Sequence, residues 1–185
     1  QDVAATGSRV FLDLKLHDIP RTVAAAVAAA IPSGASMVNV HALGGREMLR
    51  AAGEARGADH PMKIIAVTLL TSLDAAALAD LPIAGHPEGI VRRLALLARE
   101  CGLDGVVCGA PDLPVVRGCC GSDFFTVVPG IRPAGSPAAD QRRIATPREA
   151  LRAGADLLVV GRPITGAPDP AAALEALIAE IESAT

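Results

Sequence analysis

Residues 11–18 read Phe-Leu-Asp-Leu-Lys-Leu-His-Asp and predict a β-strand with charged side chains on one face. Alternation along the strand separates an apolar face from a mixed face: Leu12, Leu14 and Leu16 against Phe11, Asp13 and Lys15. The Cα atoms of Asp13 and Lys15 are expected about 6.5 Å apart, and Asp18 follows in the turn. We therefore expect a buried strand on which the Lys15 ammonium lies between two carboxylates. Such an ammonium stays protonated and suits proton donation to a carbanion, or its stabilisation by charge; a structural ion pair is the alternative.

Short apolar runs recur after this strand, and segments of helical composition separate them. Strands are predicted at 10–16, 37–41, 64–70, 105–108, 124–128 and 157–161. Helices are predicted at 22–31, 46–55, 88–101, 111–116, 147–153 and 170–181. Strict alternation of buried strands and helices predicts an α/β protein with a parallel sheet covered by helices.

Two architectures fit this alternation, an open doubly wound sheet and a (β/α)8 barrel. A dinucleotide-binding sheet has little support because no Gly-x-Gly-x-x-Gly motif follows the first strand. The 185 residues form about six βα units, whereas a closed barrel has eight units and roughly 250 residues. Either the sheet is open or about two units are missing. We expect residues 1–185 to form one domain.

The composition excludes several classes of protein. Charged residues make up 20% of the chain, the net charge is −3 and aromatic residues make up 2%, so a nucleic-acid partner is not expected. The longest run of small apolar residues, 23–31, is too short to cross a membrane. The four cysteines contain no Cys-x-x-Cys pair, which excludes zinc ribbons and thioredoxin-like sites. A cytoplasmic protein with free thiols is expected.

The segments after the last two predicted strands suggest a phosphate site. Each pairs a glycine with an arginine, Gly130 with Arg132 and Gly161 with Arg162. Glycine lets backbone N–H groups approach a ligand and arginine binds phosphate, and barrels of this type bind phosphate after strands seven and eight. Two ordinary turns with surface arginines are the alternative. The long segment 130–146 is expected to be a functional loop.

Other polar residues at strand ends allow two interpretations each. Thr71 and Ser72 offer hydroxyl groups to a polar ligand, or they cap a turn or helix. His17 and His41 form a metal site with Asp13 or Asp18, or they are hydrogen-bonded residues of the wall. The second interpretation is favoured, and no metal is expected.

The sequence also resembles the orotidine 5′-phosphate decarboxylases. The resemblance rests on motifs in the family's order and spacing: 11–23 (FLDLKLHDIPRTV), 39–45 (NVHALGG), 67–72 (VTLLTS), 105–108 (GVVC), 128–133 (VPGIRP), 140–141 (DQ) and 160–164 (VGRPI). The Asp-x-Lys-x-x-Asp element alone is shared with sugar-phosphate decarboxylases and aldolases of the same superfamily. The combination with the later motifs is much more specific.

The resemblance implies a closed TIM (β/α)8 barrel of which this chain supplies strands three to eight. It implies conversion of orotidine 5′-monophosphate to uridine 5′-monophosphate and CO2 in de novo pyrimidine synthesis, without a cofactor. Lys15 would donate the proton to C6 of the pyrimidine, and Asp13 would lie against the departing carboxylate. Asp18 and Thr22 would reach into the partner's site in a homodimer. The remaining residues would bind the substrate, Thr71 and Ser72 near the base and Gln141, Gly161, Arg162 and Arg132 at the phosphate.

Two departures from the family pattern stand out. Arg21 occupies a position where the family commonly has Asn, and we expect this change to be tolerated. Nothing before Val10 supplies the ribose-binding aspartate and the first lysine of the family's first two strands. Residues 1–9 resemble the end of the helix before strand three. We therefore expect these 185 residues alone to be inactive.

Two other functions are kept as alternatives. One is a Mg²⁺-dependent sugar-phosphate decarboxylase or aldolase of the same superfamily, which metal dependence would reveal. The other is a non-catalytic protein that binds a phosphorylated metabolite, which would bind phosphate without turnover.

Overall fold

Six parallel strands form one sheet in the computed structural model, which describes residues 2–133 and 144–182. The strands are β1 (Phe11–Leu16), β2 (Met37–His41), β3 (Lys63–Val67), β4 (Gly105–Val107), β5 (Phe125–Val128) and β6 (Leu157–Leu158). Their spatial order follows the chain order from β1 to β6. The predicted parallel α/β sheet is therefore confirmed, with each strand in a predicted region.

One short helix precedes β1, and further helices lie after the strands along the chain. They are α1 (Asp2–Ala5), α2 (Pro20–Ala30), α3 (Gly45–Arg56), α4 (Ala75–Leu78), α5 (Pro87–Glu100), α6 (Leu113–Cys120), α7 (Pro147–Arg152), α8 (Arg162–Thr165) and α9 (Pro170–Glu182). The sequence did not predict α4 and α8, which are single turns too short to show a period. No helix within residues 2–133 and 144–182 is both long enough and apolar enough to cross a membrane.

The sheet is strongly curled. Phe11 on β1 and Leu157 on β6 lie at opposite ends of the strand order, yet both line one cavity of about 900 Å³. Within the described residues β1 and β6 do not pair with each other. The six strands therefore form an open arc of a barrel.

Apolar side chains pack on both faces of this arc. A large cluster joins the outer face to the helices through Val38, Val40, Ile64, Ala66 and Val106. A smaller cluster fills the inner face: Met37, Ile65 and Val127, with Phe11, Val107, Phe125 and Leu157 packed against them. Because side chains alternate along a strand, Asn39 and His41 share the inner face of β2 with Met37.

Strand β1 departs from the predicted alternation. Leu12 pairs with Val38 and Leu16 pairs with Val40, so three residues of β1 lie opposite Asn39 alone. This bulge turns Leu14 outward, and its side chain is 51% exposed. The prediction that Leu14 shares a buried face with Leu12 and Leu16 is wrong, as is the prediction that this strand is buried.

Two partly exposed ion pairs connect helices to the amino ends of the strands. Arg56 of α3 donates to Asp104 at 2.6 Å, and the same carboxylate oxygen accepts the N–H of Ile64 at 2.7 Å. Arg117 of α6 donates to Asp156 at 2.7 Å and to the carbonyl of Phe124 at 2.7 Å. These contacts attach α3 and α6 to the amino-terminal edge of the sheet.

Gly105 pairs with Phe125 and leaves no room for a side chain between β4 and β5. A Cβ atom there would lie 2.0 Å from the carbonyl oxygen of Phe125. Since a strand backbone has little room to move, we expect Gly105→Ala to lower the free energy of unfolding by about 1–3 kcal/mol. Urea unfolding of the variant measures this loss.

Gly118→Ala is the matched control, because a Cβ at this helical position meets nothing within 4 Å. Its stability should equal or slightly exceed that of the wild type. Equal stability of the two alanine variants would contradict the proposed close approach of β4 and β5.

Candidate functional site

The carboxyl ends of the parallel strands meet at one edge of the arc. Most of the residues singled out in the sequence follow a strand at this edge: Asp18 after β1, Thr71 and Ser72 after β3, Arg132 after β5, and Gly161 and Arg162 after β6. Asp13 and Lys15 lie on β1 itself, and Lys15 is one residue before the carboxyl end of the strand. The topology thus gathers residues that are up to 149 positions apart in the sequence, from Asp13 to Arg162.

The ion pair predicted on β1 is formed. Lys15 Nζ donates to Asp13 Oδ2 at 2.5 Å, and the two side chains are 45% and 53% exposed. Asp18 does not join them, and its Oδ1 accepts the N–H of Ile19 at 2.7 Å in the turn after β1. The prediction that Lys15 lies between two carboxylates is therefore wrong within the described chain, where its ion-pair partner is Asp13.

A buried amide holds this ion pair from the neighbouring strand. Asn39 of β2 is 1% exposed. Its Nδ2 donates to Asp13 Oδ1 at 2.6 Å, and its Oδ1 accepts the backbone N–H of Lys15 at 2.7 Å. Sequence reasoning missed this role, although a lone amide within the apolar run of β2 was a visible signal.

These contacts set the charge of Asp13. Burial raises the pKa of its carboxyl, but hydrogen bonds from Lys15 and Asn39 and the positive charge of Lys15 outweigh burial and bring the pKa below its usual 3.8. Asp13 is therefore ionised at neutral pH, and the ammonium next to it faces a full negative charge.

Two histidines lie side by side at the site, and His41 is close enough to feel the charges of the ion pair. The ring centroids of His17 and His41 are 5.3 Å apart. Burial, followed by the charges of His17 and Lys15, lowers the pKa of His41 below its usual 6.5, so its ring is neutral at pH 7. No group of three or more potential metal-ligating side chains occurs within residues 2–133 and 144–182.

Arg132 follows β5 and is not a surface residue. It is 8% exposed, its Nη1 donates to the carbonyl of Ile131 at 2.9 Å, and its backbone N–H donates to the carbonyl of Ala145 at 2.9 Å. Gly130 turns the chain with a φ of 77°. Gln141 and residues 134–143 of the predicted loop lie outside the described residues.

The other predicted binding residues lie at or just before the starts of three helices, α8, α4 and α2. Gly161 immediately precedes α8 and Arg162 begins it, and both are exposed. Thr71 is buried and Ser72 is exposed in the turn before α4. The cap of α4 is Asp74, which accepts the N–H of Ala77 at 2.9 Å, and not either of the two hydroxyls. Thr22 is exposed in the first turn of α2.

The 900 Å³ cavity is not part of this site. It opens at the amino ends of the strands, among Arg9, Ala35, His60 and Asp156. The site instead lies across the carboxyl ends, where Lys15 and Arg162 are found.

Proteins of known sequence resemble this chain over almost its whole length. It is 55% identical over 183 residues to a protein of Nitrosococcus oceani named orotidine 5′-phosphate decarboxylase, covering 98% of this chain and 78% of that protein. It is 55% identical over 176 residues to a protein of the same name from Anaeromyxobacter dehalogenans, covering 95% of this chain and 77% of that protein.

Solved structures give the same result. Orotidine 5′-phosphate decarboxylase from Lactobacillus acidophilus matches with a TM-score of 0.82 and 38% identity, covering 97% of this chain and 78% of that one. An uncharacterized conserved protein from Geobacillus kaustophilus matches with a TM-score of 0.80 and 40% identity, covering 97% and 79%. The arc of six strands therefore has the TIM-barrel fold predicted for it. The family model described as orotidine 5′-phosphate decarboxylase / HUMPS family matches residues 1–177, and the chain belongs to this family.

Proposed function

We propose that this protein decarboxylates orotidine 5′-monophosphate to uridine 5′-monophosphate and CO2 in pyrimidine biosynthesis. Membership of the family and the names of the similar proteins support this substrate. The observation that carries the proposal is the Lys15 ammonium, bonded to an ionised Asp13 near the carboxyl edge of the sheet. The proposed nucleotide site lies at this edge, between Lys15 and the candidate residues that follow β3, β5 and β6.

The chemistry requires a cation near the carbon that loses CO2. When the bond between C6 and the carboxylate breaks, the electron pair stays on C6 and CO2 departs. That carbanion has little resonance stabilisation, so a fixed ammonium is an effective means of lowering the barrier. Lys15 then transfers a proton to C6 and regains one from solvent. Asp13 orients the ammonium and lies against the departing carboxylate.

The phosphate is proposed to bind after β5 and β6. These strands are neighbours, with Val128 opposite Leu158, so the segments with Arg132 and Arg162 emerge side by side. Gly161 and Gln141 complete the proposed phosphate site, and Thr71 and Ser72 contact the base. Phosphate binding far from the reacting bond can hold the substrate carboxylate against the like charge of Asp13.

We expect Lys15→Ala to lower kcat for orotidine 5′-monophosphate by at least about 10²–10⁴-fold, the usual contribution of a positioned proton donor. The assay follows loss of substrate absorbance in the natural full-length protein. Lys63→Ala is the matched control, because Lys63 is the only other lysine. It lies at the amino end of β3, with its ammonium 5.5 Å from the Phe125 ring centroid, and kcat should stay unchanged.

The same assay tests the alternatives. Turnover should persist in EDTA, since the proposed reaction uses no metal or other cofactor. Mg²⁺-dependent turnover of a sugar phosphate without turnover of orotidine 5′-monophosphate would support the other enzyme class. Nucleotide binding without turnover would support a binding protein. An unchanged kcat in Lys15→Ala would contradict the proposed proton donor.

We further propose that the protein is a homodimer in which Asp18 and Thr22 enter the partner's site. Both side chains are exposed near the start of α2. Asp18 accepts a hydrogen bond from Ile19 in its own turn and forms no ion pair with Lys15 of the same chain, which is consistent with a role in the partner's site. The cytoplasmic location and the single domain over 1–185 stay predictions.

Mixed dimers test this sharing of residues. Lys15→Ala and Asp18→Ala subunits should each be nearly inactive, but their co-expression should restore about a quarter of wild-type activity, because half of the dimers carry one intact site. Sedimentation and differential tags verify that mixed dimers form. Inactive mixed dimers would contradict the contribution of Asp18 across the interface.

A further inference from the structure

We propose that Asn39 is a positioning residue of the decarboxylation site, fixing the Lys15 ammonium and the Asp13 carboxylate through two hydrogen bonds. This inference rests on the proposed function. None of the roles proposed for the reaction belongs to Asn39. It acts through its neighbours and does not touch the reacting atoms.

The hydrogen bonds form a closed ring. Asn39 Nδ2 donates to Asp13 Oδ1 at 2.6 Å, while Lys15 Nζ donates to the other oxygen, Oδ2. The ring closes where the backbone N–H of Lys15 donates to Asn39 Oδ1 at 2.7 Å. Each oxygen of the Asp13 carboxylate therefore has a different partner, and its rotation is blocked.

The backbone of Lys15 needs this support. Its φ is 48°, the only positive φ of a non-glycine residue in the described chain. Side chains disfavour this left-handed region, which persists only where surrounding contacts impose it. The bulge removes Lys15 from the regular pairing of β1 with β2, and Asn39 Oδ1 accepts the N–H that a regular strand would bond to backbone.

An amide is suited to this position by its chemistry. One oxygen accepts from the Lys15 backbone and one N–H donates to a carboxylate, both from a side chain that is 1% exposed. A leucine of similar size offers neither group, and an alanine offers neither group nor volume. The register fixes the amide in turn, because Asn39 pairs with Ile65 in the centre of the sheet.

The ion pair alone would not hold the ammonium in place. Both of its side chains are about half exposed, and exposed ion pairs keep their geometry poorly because the side chains lose entropy when fixed. Displacing a reacting group by about 1 Å can reduce the rate about 100-fold. Loss of Asn39 should therefore slow the chemical step and leave substrate affinity largely intact.

The test uses Asn39→Leu and Asn39→Ala in the natural full-length protein. For orotidine 5′-monophosphate we expect kcat to fall about 100-fold with KM unchanged. Thr126→Val is the matched control: Thr126 is 0% exposed on β5, and its hydroxyl accepts from Arg117 at 2.8 Å. Its melting temperature should fall while kcat stays unchanged, which separates positioning from a loss of buried polar contacts.

Amide hydrogen exchange at Lys15, read by NMR, provides a measurement that needs no substrate. Exchange should accelerate in both Asn39 variants and stay at the wild-type rate in Thr126→Val. Unchanged kcat in the Asn39 variants, or unchanged exchange at Lys15, would overturn the inference. If the wild type itself does not turn over orotidine 5′-monophosphate, the proposed function fails, and exchange alone decides whether Asn39 holds Lys15.

Discussion

The buried amide of Asn39 is the contact on which the geometry of the site depends. The attraction between Lys15 and Asp13 is too weak to define a position, because exposed ion pairs contribute only about 0–1 kcal/mol and these two side chains are 45% and 53% exposed. Their geometry instead comes from the bulge in β1 and from the amide opposite it. The amide is held by the regular pairing of β2 with β3, in the interior of the sheet.

The stabilising ion pairs and the candidate site lie at opposite ends of the strands. The ion pairs of Arg56 with Asp104 and Arg117 with Asp156 lie at the amino ends of the strands. The polar residues of the candidate site lie across the carboxyl ends, on loops and helix starts. This division is the general one in β/α barrels, and it allows the reactive end to carry strained backbone, such as that of Lys15, without loss of the fold.

The sequence predicted the six strands and their parallel sheet because each strand is a short apolar run between polar segments. The sequential order of the strands followed only from the family resemblance. It also placed Lys15 and Asp13 on one strand as an ion pair, as the structure confirms. The bulge was not predictable from alternation, since three residues opposite one leave the spacing of apolar residues unchanged. For that reason the sequence did not predict the two consequences of the bulge, which are the exposure of Leu14 and the left-handed backbone conformation of Lys15. The role of Asn39 depends on contacts with residues 24 and 26 positions away in the sequence, which only the strand register reveals.

The residue roles implied by the family resemblance are tested most directly by the position of the bound nucleotide. A crystal structure of the full-length protein with uridine 5′-monophosphate bound is the most direct measurement. We predict that Lys15 Nζ lies within about 3–3.5 Å of C6 and is still bonded to Asp13, with the phosphate beside Gly161 and Arg162. A pyrimidine ring bound away from Lys15, or a phosphate at another strand end, would contradict it.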